Sequence, residues 1–249
     1  MRKLFLLFTF FAVGSITAQG NGDIVQFDFI RTTPGEQYNQ ILNQKWKELA
    51  QKRADEGTIT GWDTWWRANA TPESEWNLLI VTVAKHPDSL NAGGGIQRIR
   101  SDYSEMDIEL FNQKNYNARK IIRTQVYVNK GLNFAGNQGE TPVVPRVAVI
   151  NPMKADYSTA AKYEQAENRL NSGDLGSRLG WGLLKRIDNY GDDLYHNYMT
   201  VDFYEKMSDV MLGRIPTANA PRELQEVVKM RKHQQSIPLW LGISVRPQN

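Results

Sequence analysis

The chain has 249 residues, no cysteine, and 30 Lys and Arg against 27 Asp and Glu. The missing cysteine excludes disulfide bonds and thiol catalysis, so the fold must rest on its hydrophobic core. Basic and acidic residues are interspersed without a polybasic run, which excludes the electrostatic footprint of a nucleic-acid-binding protein.

Arg2 and Lys3 precede an apolar run from Leu4 to Val13, followed by small and polar residues through Ala18. That order is that of a secretory signal peptide, and the run is too short to span a bilayer. Cleavage is expected after Ala18, giving an exported protein, periplasmic or secreted. Loss of Arg2 and Lys3 leaves 28 basic against 27 acidic residues, a net charge near +1. No later stretch is apolar enough to span a membrane.

Ile24 to Arg31 alternates in character and predicts a strand. Thr33-Pro34-Gly35-Glu36 has the spacing of a capping box with Pro at the first helical position. Tyr38, Ile41, Leu42, Trp46, Leu49 and Arg53 then follow at three- and four-residue steps, the pattern of a helix that Gly57 ends. Residues 59–67 and 76–85 predict two strands joined through Asn69-Ala70-Thr71-Pro72, and Pro87 stops the second. Gly93-Gly94-Gly95 reads as a loop, Glu105 to Asn115 as a shorter helix and Lys120 to Val128 as a strand. Gly131 to Pro145, rich in Gly, Asn and Pro, reads as a linker. Beyond it, Arg146 to Asn151 is a predicted strand and Asp156 to Leu170 a helix with Ala160, Tyr163 and Leu170 inward. Residues 179–187 and 197–206 are predicted strands, Pro221 to His233 a helix, and Leu239 to Val245 a last strand.

Two halves of this order match. Gly61-Trp62 is followed by Trp76-Asn77-Leu78-Leu79-Ile80-Val81, and Gly180-Trp181 by His196-Asn197-Tyr198-Met199-Thr200-Val201 at nearly the same spacing. The expected division is a signal peptide over 1–18, a first α+β repeat over 19–130, a linker over 131–145 and a second repeat over 146–249. A βαββαβ unit with an aromatic-bearing first helix and Gly-Trp opening its second strand resembles the dimeric α+β-barrel superfamily. The resemblance implies two tandem ferredoxin-like units whose antiparallel sheets face each other as a fused pseudo-dimeric barrel. One chain would then act as a monomer.

Strand alternation divides each strand into two faces. Met199, Val201 and Phe203, like Val25, Phe27 and Phe29, are assigned to helix packing. The opposite faces, with Tyr198, Thr200, Asp202, Tyr204, Gln26 and Asp28, are assigned to the inter-sheet space, joined there by Arg123, Gln125 and Tyr127. A small ligand would bind among these residues, although paired Tyr and Thr groups fill such a space equally well. Asp202 is the carboxylate of most interest, with pairing to an arginine the simpler reading. Trp62 and Trp181 are read as equivalent core residues. Trp65 and Trp66, being adjacent, point to opposite faces.

His86, His196 and His233 lack metal-ligand spacing, and no zinc motif, phosphate loop or nucleophile elbow is present. The resemblance implies haem as a cofactor in some relatives, through a histidine on the second helix of the unit. His233 is the candidate on that ground, against a solvated helix end; otherwise no cofactor and no metal are expected. With no catalytic constellation in view, the sequence favours non-catalytic binding of a small ligand or partner at the inter-sheet space. The alternative is an oxygenase- or isomerase-like enzyme of this fold, cofactor-free or haem-dependent. The exported protein is expected to begin at Gln19, as intact-mass measurement would show; material that retains Met1 would contradict it.

Overall fold

The computed structural model describes residues 21–34, 37–91, 95–135, 143–213 and 221–248. The expected signal peptide, the Gly93-Gly94 pair and part of the Thr33–Glu36 capping box lie outside these residues. The first half contains β1 (Ile24–Thr32), α1 (Tyr38–Ile41), a π-helical turn (Leu42–Trp46), α2 (Lys47–Asp55), β2 (Gly61–Arg67) and β3 (Leu78–Ala84). It continues with α3 (Pro87–Asn91), α4 (Glu105–Ala118) and β4 (Arg119–Phe134). The second half contains β5 (Val147–Ala155), α5 (Ala160–Leu170), β6 (Gly180–Arg186), β7 (Tyr198–Tyr204), α6 (Met207–Leu212), α7 (Arg222–Lys229), β8 (Arg231–His233) and β9 (Ile237–Val245).

All the strand pairs are antiparallel, in the order β7-β6-β4-β1-β3-β2-β9-β5, and β5 pairs back to β7. Eight strands therefore close a barrel, with β8 attached to β5 beyond the end of β9. Gly61 and Gly180 open β2 and β6, as the repeated Gly-Trp pairs predict. Asn77 accepts from the Thr32 amide at 3.0 Å and donates to Thr32 Oγ1 at 2.8 Å. Asn197 does the corresponding work at Ala155, accepting from its amide at 2.9 Å and donating to its carbonyl at 2.8 Å. The two asparagines tie the starts of β3 and β7 to the ends of β1 and β5.

Several boundaries differ from the sequence reading, among them the end of β5, at Ala155 in place of Asn151. β4 runs on to Phe134 because residues Gly131 to Phe134 find partners on β6, so the predicted linker starts inside a strand. The last predicted helix stops at Lys229, and Arg231–His233 turn into β8. The edge of β5 from Met153 to Ala155 is left unpaired by β9, and these residues hydrogen-bond to it instead of prolonging the helix.

The two strand faces also exchange roles. Val25, Phe27, Phe29, Met199 and Val201 form the barrel interior, with Phe203 packed against them, where the sequence reading set them under helices. Trp65 joins the interior, whereas Trp66 packs on the outer face. Closure and helix cover bury both faces of β1 and β7 for most of their length, and the interior takes the more apolar one. Trp62 and Trp181, 6% and 3% exposed, lie in separate cores beneath the helices. Replacing either with Ala is expected to cost about 3–5 kcal/mol in denaturant titration; a loss near zero would contradict a core role.

Candidate functional site

The nine residues picked from strand alternation fall into two groups. Arg123, Gln125 and Tyr127 share the β4 face that pairs with Phe29, Phe27 and Val25, so they belong to the interior side. Gln26, Asp28, Tyr198, Thr200, Asp202 and Tyr204 lie on the outer side, beneath or beside the helices. The set therefore does not meet across one inter-sheet space. Gln26 donates to Asp28 at 2.9 Å and Thr124 Oγ1 donates to Asp28 at 2.6 Å, a small network beside β4.

The interior group is internally satisfied. The Tyr127 hydroxyl donates to Gln125 Oε1 at 2.7 Å and accepts from His196 Nε2–H at 2.9 Å. Arg123 pairs with Glu75 at 2.7 Å and lies over the Phe29 ring. His196 occupies the repeat position of Trp76, and burial, aided by Arg186 and Arg123, lowers its pKa to about 4. Burial likewise pushes the Tyr127 phenol up.

Thr200, Asp202 and Tyr204 line a cleft of about 680 Å³ between the outer face of β6 and β7 and the segments around α5 and α7. Its wall is a continuous polar chain. Arg231, at the start of β8, pairs with Glu167 on α5. Asn171, which caps α5, donates to the Glu167 carbonyl at 2.9 Å. Arg178 donates to Asn171 Oδ1 and to Asp202 Oδ1, each at 2.8 Å. Asn151 donates to the other Asp202 oxygen at 2.9 Å and accepts from Ser236 Oγ at 2.6 Å. Ser236 in turn lies 3.2 Å from His233 Nε2. Asp202 is thus the arginine-paired carboxylate of the simpler reading.

Glu167 is the group that the sequence analysis missed. It is 1% exposed, yet it lines the cleft. Burial raises its pKa above the ordinary carboxylate range, against the attraction of Arg231, and the Asp202 charge adds to the rise. The Nε of Arg231, to which Glu167 is paired, is buried with no hydrogen-bond partner among the described residues. An unpaired buried donor beside a carboxyl with a raised pKa is an arrangement suited to proton transfer. The signal lay in helix spacing: Tyr163, Glu167 and Leu170 recur at four- and three-residue steps, which places a carboxylate on the inward face. Tyr198 is not part of the cleft lining: it lies in the core beneath α5, donates to Glu164 at 2.6 Å and packs edge-on to Tyr163, with ring centroids 4.9 Å apart.

No family model matches the chain, and no curated protein matches it. Solved structures do. A provisionally assigned monooxygenase from Fusobacterium nucleatum shares 8% identity over 92% of this chain and 96% of its own, with a TM-score of 0.59. An anthrone oxidase-like protein shares 11% identity over 94% and 97%, at 0.57. A chlorite dismutase from Candidatus Nitrospira defluvii shares 10% over 90% and 92%, at 0.51. The fold is that of these α+β-barrel proteins. These neighbours carry enzyme names, which overturns the sequence preference for a non-catalytic binding protein.

Nor do these neighbours support the expectation that no cofactor is needed, so haem is weighed against the residues present. His233 does line the cleft, from a strand and not from the second helix. Its Nε2–H is donated to the Gln235 carbonyl at 2.9 Å. Arg178 and Arg231, the cations that haem propionates would need, are paired with Asp202 and Glu167, and Asp174 adds a third carboxylate to the lining. These residues do not fit haem. Among the described residues no group of three or more His, Cys, Asp or Glu could hold a metal ion. No helix among them is long and apolar enough to cross a membrane.

The His196 shift has a sign that can be tested. The unfolded chain takes up this proton near pH 6.5 and the folded chain near pH 4, so stability falls as pH drops through that window. The expected loss is about 3 kcal/mol. Urea titrations at pH 7 and pH 4 should show a smaller difference for His196→Gln; an unchanged difference would place the titration elsewhere.

Proposed function

We propose that this chain is an enzyme of the oxygenase kind, acting on a small substrate in the cleft beside α5. The observation that carries the reading is Glu167, a buried carboxyl with a raised pKa on the wall of an open cleft. A raised pKa makes its carboxylate a stronger base than an exposed glutamate's. The substrate class is a methylene made acidic by an adjoining carbonyl or aromatic ring, the chemistry suggested by the anthrone oxidase-like neighbour.

Glu167 takes the proton from carbon, and the negative charge delocalises onto the substrate oxygen. The unpaired Nε–H of Arg231 donates to that oxygen, and its guanidinium stabilises the charge that leaves Glu167. The carbanion is electron-rich enough to reduce dioxygen. The overall change balances as R₂CH₂ + O₂ → R₂C=O + H₂O, with carbon oxidised and both oxygen atoms reduced. The chain from Asn171 through Arg178 and Asp202 to Asn151 holds the cleft wall in place.

The same reading extends to organisation. The two halves are tandem ferredoxin-like repeats, each in the spatial order fourth, first, third, second strand, and the matched asparagine ties support this. A barrel closed by one chain supports a monomer. The N-terminal pattern supports export.

Anthrone in an oxygen electrode tests the activity. Uptake of one mole of oxygen per mole of anthrone is expected, falling about 10²–10⁴-fold in Glu167→Gln with an unchanged circular dichroism spectrum. Full activity in that variant, or no uptake above the uncatalysed rate, would contradict the proposal. Proton exchange at the methylene without oxygen uptake would indicate an isomerase instead.

A further inference from the structure

The barrel interior is not filled throughout. Phe29 and Trp76 pack edge-on with ring centroids 5.0 Å apart, and Phe27 and Tyr127 lie 5.2 Å apart. Between larger residues such as Phe27, Trp65 and Leu184, the small side chains of Val25, Ala148, Gly182 and Val201 leave a cavity of about 90 Å³. A Cβ placed on Gly182 would meet nothing nearer than the Leu132 side chain at 3.6 Å, so its missing side chain is part of this space. In the first half the matching residue after Gly-Trp is Asp63.

Asp63 is 4% exposed and is held by Arg246 through two hydrogen bonds of 2.8 and 2.9 Å. Asp63 and Arg246 are the charged groups among the described lining residues, and each neutralises the other. Exposed Val144 and Ser244 belong to the same lining and mark where the cavity meets solvent. The cavity is separate from the cleft. Val201 faces the cavity, whereas its neighbours Thr200 and Asp202 face the cleft from the other side of β7.

We propose that the barrel interior is a second binding site, for a compact, uncharged apolar molecule no larger than one six-membered aromatic ring. An apolar void offers water too few hydrogen-bond partners and gains dispersion contacts when an apolar guest enters. A charged guest would lose its hydration with no unpaired counter-charge to meet it. The site depends neither on Glu167 nor on any reaction in the cleft.

Benzene is the probe, used on the full mature chain. Its addition is expected to raise the melting temperature saturably by about 2–4 °C. Nuclear Overhauser contacts should appear between benzene and the methyl groups of Val25 and Val201. Gly182→Leu and Ala148→Leu, which fill the space, should melt cooperatively and lose the shift. A wild-type protein with no saturable shift and no contacts overturns the proposal, as does a folded, filled variant that keeps the shift. If neither variant folds, the contacts in the wild-type protein decide alone.

Discussion

Pairing of β4 with β6 and of β2 with β9 removes the free edges that each four-stranded half would otherwise present. An open edge invites association with other strands, and closure satisfies those hydrogen bonds within one chain. Closure also fixes what the rest of the molecule can be. Each strand has one face turned to the barrel interior, and helices cover much of the other, although β9 keeps Trp240 and Gly242 exposed.

That constraint explains where the polarity went. The interior tolerates polar groups that pair with one another, as the Tyr127 hydroxyl does with Gln125 and His196 Nε2, while His196 Nδ1 is buried with no hydrogen-bond partner among the described residues. Beneath the helices there is room for a longer polar chain, because loops and helix ends supply partners at several heights. Glu167 is reached from α5, Arg231 from β8 and Arg178 from the loop before β6. The resulting wall holds a carboxyl out of water without burying it in purely apolar surroundings, and burial raises its pKa beside the cleft.

The sequence showed the architecture more clearly than the site. The two Gly-Trp pairs, and the asparagines fifteen or so residues after them, mark the strand starts of β2 and β6 and the hydrogen-bonded ties of β3 and β7. Alternation separated the faces of β1 and β7 correctly, but period two carries no information about which buried face is inside. Asp202 was found because it interrupts a strand of tyrosines, and its partner Arg178 was not, because a loop arginine carries no periodic signal. His233 was set on a helix because Pro221 to His233 has a helical pattern; the free edge of β5, invisible in sequence, took those last residues into the sheet. Glu167 was overlooked for a related reason: a glutamate in a helix is ordinarily a solvated residue.

The account stands on the protonation of that one carboxyl. A pH titration of the protein by carbon-detected magnetic resonance, with the Glu167 side-chain signal assigned through its loss in Glu167→Gln, measures it directly. The account predicts a midpoint clearly above the ordinary glutamate value of about 4.3. A midpoint at or below that value would mean that Arg231 holds Glu167 as a plain structural ion pair, and the proposed base would be lost.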